Sequence, residues 1–164
     1  MKLIRQIYAT GLVWLWVAIV VVAVDRMTKC WVVDHLTLLE PLPVLPIFNL
    51  TLAYNTGAAF SFLHAASGWQ NGLLGGFAVV VSLIVIRWLI SLSAQAYWLN
   101  VALCLVLGGA IGNAWDRVRY GYVIDFLSFH LGEWHFAIFN VADSAICVGA
   151  CILLLHWMRQ PNAS

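Results

Sequence analysis

The chain has 164 residues, of which 63% are hydrophobic and only 9% charged, and its mean hydropathy is +0.92. Eight basic and seven acidic residues leave a net charge of +1, with no extended basic cluster. These figures exclude an ordinary soluble domain and a nucleic-acid-binding surface, and point to a single membrane-embedded domain over residues 1–164.

Lys2 and Arg5 precede the apolar run 7–24, which is long enough to span a bilayer with little tilt. A basic start and an apolar run also describe a secretory signal peptide. This run is long for such a segment and no A-x-A-like site follows it, so a retained first helix is expected. Asp25-Arg26-Met27-Thr28-Lys29 is expected to close that helix. Asp25 and Lys29, four apart, pair along one face, either as a solvated helix end or as support for a site.

The segment 25–68 is expected outside the membrane. Glu40-Pro41-Leu42-Pro43 and Pro46 rule out a continuous helix. Phe48 to Tyr54 alternates apolar and polar residues, the period of a strand. Asn55 and Thr56 can cap a short helical stretch after them. The region reads as a small extramembrane sheet leading into an interfacial helix.

A second span is predicted over 69–90, with Trp69 at one interface and Arg87 and Trp88 at the other. A short connection, Ser91 to Gln95, leads to a third span over 97–114. Gly108 and Gly112 lie four apart there and let another helix approach closely. Asn113, Asp116 and Arg117 follow at spacings of three and four, on one helical face. The segment 115–135 is expected outside the membrane again, with a turn at Gly121, a short strand carrying Asp125, and a second turn at Gly132. The last span is predicted over 136–158.

That last span carries the anomaly. Asp143 lies inside an apolar run, where a carboxylate at mid-bilayer costs about 2.5–3.5 kcal/mol on insertion scales. Such a group is either satisfied between helices or functional. Asp125 supplies a partner: two carboxylates, one in a loop or strand and one in a helix, can form an acid–base pair sharing one proton.

Other chemistry is less supported. His130 and His135 with Glu133 between them match no zinc spacing, and no metal is expected. Ser61 and Ser144 have no histidine or lysine arrangement for nucleophilic catalysis, and Ser144 is expected to hydrogen-bond within the bundle. Cys30, Cys104, Cys147 and Cys151 form no disulfide or zinc framework and read as small buried hydrophobes. Orientation by basic residues alone is a tie at four on each side. All seven acids lie toward one side, and the N-terminal Lys2 and Arg5 argue for both termini in the cytoplasm.

Four blocks in order carry a resemblance: Asp25-x-x-Thr28-Lys29; Asn55-Thr56-Gly57-Ala58-Ala59-Phe60-Ser61; Gly108 to Arg117 continued by Gly121-Tyr122-Val123-Ile124-Asp125-Phe126; and Phe139-Asn140-Val141-Ala142-Asp143-Ser144. Over nearly its whole length the chain resembles bacterial lipoprotein signal peptidase, or signal peptidase II, a four-span aspartic endopeptidase of the cytoplasmic (inner) membrane. One departure is Arg26, where the family usually has Gln. The resemblance implies an α-helical membrane fold with a small extramembrane β-cradle and a mobile interfacial helix, the segments 25–68 and 115–135 being periplasmic. It implies Asp125 and Asp143 as catalytic dyad, with Asn113, Arg117 and Asn140 as polar support. Asp25, Lys29, Asn55 and Asp116 are implied as structural or substrate-side members. It further implies diacylglyceryl-prolipoprotein substrates cut before the lipidated cysteine, membrane lipids as surroundings, inhibition by globomycin-type peptides, and no metal or other cofactor.

From the residues alone, two other classes stay open. A small proton-coupled transporter or channel also uses intramembrane aspartates, although only Asp143 is expected well inside a span and no relay continues across. A structural membrane subunit accounts for the apolar spans but not for the clustered polar residues.

Overall fold

The computed structural model describes residues 9–57 and 69–159. Among them, four helices are long and apolar enough to cross a membrane, and four short strands form one antiparallel sheet. The expected fold class is borne out. The interfacial helix expected after Asn55 falls outside the described residues.

Among the described residues a 3-10 turn, Gly11–Trp14, is the first element and passes into α1, Leu15–His35. The strands β1, Pro41–Leu45, and β2, Phe48–Asn55, follow. Helices α2, Trp69–Ser91, and α3, Tyr97–Tyr120, lead to β3, Val123–Leu131, and β4, Trp134–His135; α4 is Val141–Met158.

Three helix ends differ from expectation, each for a local physical reason. Helix α1 does not close at Asp25 but runs to His35. Its charged residues are tolerated mid-helix because they are paired, Arg26 and Lys29 with Asp116 of α3 and Asp25 with Lys29 and the backbone N of Ala142 in α4; Asp25 and Lys29 are both 0% exposed. Helix α3 runs past Ala114 to Tyr120, where Gly121 takes the left-handed conformation, φ 80°, that stops a helix without a Cβ penalty. Arg117 and Arg119 fall in this last turn, where cations suit the helix dipole. Helix α4 begins only at Val141, because Phe136 to Phe139 pairs with β3. Phe139 accepts from Leu127 N at 2.8 Å and donates to Leu127 O at 3.1 Å.

Helix α3 is the centre of the bundle. More than half of its apolar window is buried, 56%, against 11% for α2, whose outer face is left to lipid. The glycine spacing explains how neighbours reach it. A Cβ on Gly108 would lie 2.7 Å from Val21 Cβ of α1, and one on Gly112 would lie 2.8 Å from Asp25 Oδ2. The expected packing role of these glycines is what the helices require.

The sheet, in order β1-β2-β3-β4, stands on one end of the bundle. Val32 of α1 packs with Leu52, Ile124 and Phe126 in a small buried cluster that fixes it there. Burying such side chains contributes about 1.5–3 kcal/mol each. One expectation about packing fails: all four cysteines are free, but only Cys104 is buried, whereas Cys30, Cys147 and Cys151 are exposed. A small apolar thiol is as much at home facing lipid or a cavity wall as in a core.

Candidate active site

Register decides where Asp125 points. Strands β2 and β3 pair so that Ala53 faces Asp125 and Asn55 faces Val123. This brings Asn55 Nδ2 to 3.0 Å from Asp125 Oδ2, as donor. The other end of the Asn55 amide accepts from Gly57 N at 3.0 Å, closing a local turn.

Asp143 is placed by helix capping. Asn140 is the N-cap of α4 and Asp143 is its third residue, and the two form a capping box. Asn140 Oδ1 accepts from Asp143 N at 2.9 Å, and Asp143 Oδ2 accepts from Asn140 N at 3.3 Å. Asp143 therefore sits in the first turn of α4, at the positive end of the helix dipole, and not at mid-span. The mid-bilayer cost considered above does not apply to it. It is also not the only acid inside a spanning helix, since Asp25 and Asp116 lie within α1 and α3.

Two asparagines connect the carboxylates. Asn140 Nδ2 donates to Asp125 Oδ1 at 2.7 Å and to Asn113 Oδ1 at 3.1 Å. Asn113 Nδ2 in turn donates to Asp143 Oδ1 at 2.7 Å. Each aspartate thus accepts from one amide of a linked Asn113–Asn140 pair. Burial pushes the Asp125 carboxyl up from its ordinary value to about 7; the charge of Asp143 adds to this, while the Asn55 and Asn140 donors and the Lys29 charge oppose it.

Both aspartates open onto one cavity of about 450 Å³. Asn55, Asn113 and Arg117 line it with them. Arg117 donates to Asn113 O at 3.3 Å and to Gly57 O at 3.5 Å, and its buried Nε has no hydrogen-bond partner among the described residues. The rest of the wall is largely apolar: Val123, Phe136, Phe139, Ile146 and Cys147. Ser144 also lines it, and its hydroxyl donates to Asn140 O at 2.9 Å, as expected of a residue bonded within the bundle.

Behind the asparagines lies a second polar cluster. Lys29 Nζ is 2.8 Å from both Asp25 Oδ2 and Asp116 Oδ2, and donates to Asn113 Oδ1 at 3.2 Å. Arg26 completes it by pairing with Asp116 Oδ1. All nine residues singled out from the sequence fall in these two adjoining clusters. Asp125, Asp143, Asn55, Asn113 and Arg117 face the cavity, Asn140 bridges from beneath, and Asp25, Lys29 and Asp116 sit behind. Sequence reasoning missed the apolar wall. A signal was available, because Ile146 and Cys147 follow Asp143 at three and four residues, the spacing of one helix face.

Comparison with known proteins gives a consistent answer. The family model described as signal peptidase (SPase) II matches residues 17–159. The lipoprotein signal peptidase of Yersinia enterocolitica serotype O:8 is 46% identical over 157 residues, covering 96% of this chain and 93% of the relative. The protein of the same name from Yersinia pestis strain Pestoides F is 45% identical over the same length. A solved bacterial membrane enzyme superposes with a TM-score of 0.81 at 25% identity, covering 93% of each chain. A second solved structure of the same description gives 0.80 at 26% identity, covering 91% of this chain and 94% of the other. The chain belongs to the signal peptidase II family.

Proposed function

We propose that the protein is an aspartic endopeptidase that removes the signal peptide from diacylglyceryl-modified prolipoproteins, cutting before the lipidated cysteine. The observation that carries this reading is the pair of carboxylates on one cavity wall, Asp125 and Asp143, each held by one amide of the Asn113–Asn140 link. The names of its Yersinia relatives supply the substrate class. The apolar wall beside the carboxylates suits a lipid-bearing residue.

Peptide hydrolysis needs one carboxylate ionised and one protonated. Burial assigns the shared proton to Asp125, which keeps it up to about pH 7. Asp143 is then the general base. It takes a proton from a water whose oxygen bonds to the scissile carbonyl carbon, while Asp125 gives its proton to the carbonyl oxygen. The proton on Asp143 passes to the amide nitrogen as the C–N bond breaks, and a hydroxyl proton of the intermediate returns to Asp125. Arg117, which lines the cavity, supplies a donor for the substrate carbonyl or the charge developing on it.

The same reading includes a bacterial inner-membrane location with both termini cytoplasmic, the cavity near the periplasmic face, membrane lipids around the bundle, and inhibition by globomycin-type peptides. No cofactor takes part in the steps above. The deciding experiment is a detergent assay with lipidated and unmodified prolipoprotein. Turnover of the lipidated form alone is expected; equal turnover of both would overturn the substrate assignment. Reporter fusions after Ser164 test the orientation, and a periplasmic-type reporter active there would reverse it.

A further inference from the structure

Lys29 is a fully enclosed charge: its side chain is 0% exposed and it does not line the cavity. A lysine in such a place loses hydration that only close counter-charges replace. Its three acceptors lead to three different parts of the catalytic pair.

The first is Asp25. Its Oδ2 faces Lys29 at 2.8 Å, and its Oδ1 accepts from the backbone N of Ala142 at 3.0 Å, the residue before Asp143. The second is Asp116. Its Oδ2 faces Lys29 at 2.8 Å and accepts from the backbone N of Ile124 at 3.3 Å, the residue before Asp125. The third is Asn113, whose Oδ1 accepts from Lys29 at 3.2 Å and from Asn140 at 3.1 Å. With that oxygen occupied by two donors, the amide has one orientation, and its Nδ2 is left to hold Asp143 Oδ1 at 2.7 Å.

We propose that Lys29 is a positioning residue for the aspartate pair: through Asp25, Asp116 and Asn113 it ties the first turn of α4 to strand β3 and fixes which end of the Asn113 amide faces Asp143. This rests on the reading of Asp125 and Asp143 as the reacting groups. It differs from a purely structural ion pair because Lys29 acts on the charge of the site as well as on its shape. Its charge favours the ionised form of Asp125, against burial and the charge of Asp143. The other charged groups around the pair are Arg117 on α3, beside both aspartates, and, on the far side of Lys29, Asp25, Asp116 and Arg26.

The test compares wild type, Lys29→Met, Lys29→Met/Asp25→Asn and Asp143→Asn as purified full chains. The double variant keeps the Arg26–Asp116 pair and loses one charge of each sign, and the amide oxygen introduced by Asp25→Asn can still accept from Ala142 N. It is the variant expected to fold where Lys29→Met does not. Each is assayed with lipidated prolipoprotein across pH. For the Lys29 variants, kcat per folded molecule is expected to fall about tenfold to a hundredfold, the cost of a slightly misplaced catalytic group, with KM nearly unchanged. The alkaline limb of kcat is expected to move to higher pH, because Asp125 without Lys29 holds its proton longer. An unmoved profile with wild-type kcat per folded molecule in the double variant overturns the proposal. So does the failure of both Lys29 variants to accumulate while Asp143→Asn accumulates normally, since Lys29 would then serve only the fold. An active Asp143→Asn enzyme would instead overturn the underlying assignment of the catalytic pair.

Discussion

Two polar clusters adjoin in this bundle and share Asn113, yet their charges are treated in opposite ways. Around Lys29 every charge has an opposite charge within ion-pair distance: Asp25 and Asp116 at 2.8 Å, and Arg26 on the far oxygen of Asp116. Only Arg26, at the edge, is partly exposed; Asp25, Lys29 and Asp116 are each 0% exposed. Around Asp125 and Asp143 the direct donors are neutral amides, from Asn55, Asn113 and Asn140, and both carboxylates line a cavity. Neutral donors hold a carboxylate in place without cancelling its charge. The comparison teaches that a membrane protein can bury charge for shape or keep it available for chemistry, and that the distinction lies in the partners and not in the residue type.

The sharpest way to break the contrast is to remove charge from each cluster. Asp143→Asn and Asp125→Asn preserve volume and keep one of the two side-chain oxygens that accept hydrogen bonds, but cannot exchange a proton. Turnover of lipidated prolipoprotein is expected to fall about 10²–10⁴-fold, with the melting temperature unchanged or higher because a partly buried charge is gone. A well-folded variant retaining more than about a tenth of wild-type turnover would defeat the catalytic role. The closed cluster should answer the other way. Asp116→Ala leaves Lys29 and Arg26 short of an anion and frees Ile124 N, and is expected to cost about 3–5 kcal/mol of stability. Thermal denaturation of the purified variant measures this, and a change within error would mean that the cluster does not hold the bundle together.

A smaller effect probes the seam between the clusters. Gly112→Val places its Cβ against Asp25 Oδ2, 2.8 Å away, and close to Ala142 Cβ at 3.3 Å. Overpacking of this kind costs about 1–3 kcal/mol. Because it pushes on the carboxylate that caps Ala142, activity per folded molecule should fall as well. Retained activity at lowered stability would show that the seam tolerates movement. The smallest expected effect is on pH. The Asn55 donor favours the ionised form of Asp125. Removing it in Asn55→Ala raises the carboxyl further, so a general acid that loses its proton near pH 7 should keep it to higher pH. The alkaline limb of kcat moves up by less than about one unit; a limb that moves down would exclude Asp125 as the acid.

Much of this arrangement is legible along the chain. The four apolar runs, the strand alternation from Phe48 to Tyr54, and the turns at Gly121 and Gly132 correspond to elements of the fold. Local periodicity and turn chemistry act over a few residues and need no knowledge of the rest. The residues of the candidate site were legible for a different reason: carboxylates, amides and cations stand out in a chain that is only 9% charged. What failed was the position of helix ends. Asp25-Arg26-Met27-Thr28-Lys29 reads as a polar stop, and Phe136 to Phe139 reads as part of an apolar span. The first is helical because α3 brings Asp116 and Asn113 to it. The second is extended because β3 offers it backbone partners at Leu127. Neither partner is near in sequence.

By itself, then, the sequence determined a four-span membrane protein with a small sheet and a sparse set of polar residues, since hydropathy and spacing are properties of single segments. Only the tertiary structure decided which of those polar groups meet. The pairing of Asn55 with Asp125 depends on the register between β2 and β3. The capping of Ala142 by Asp25 joins residues 117 positions apart. The division into a closed, neutralised cluster and an open pair of carboxylates follows from where α3 meets α1, α4 and the sheet. Burial and counter-charge at a given atom are set by groups arriving from elsewhere in the chain, and no local pattern encodes them.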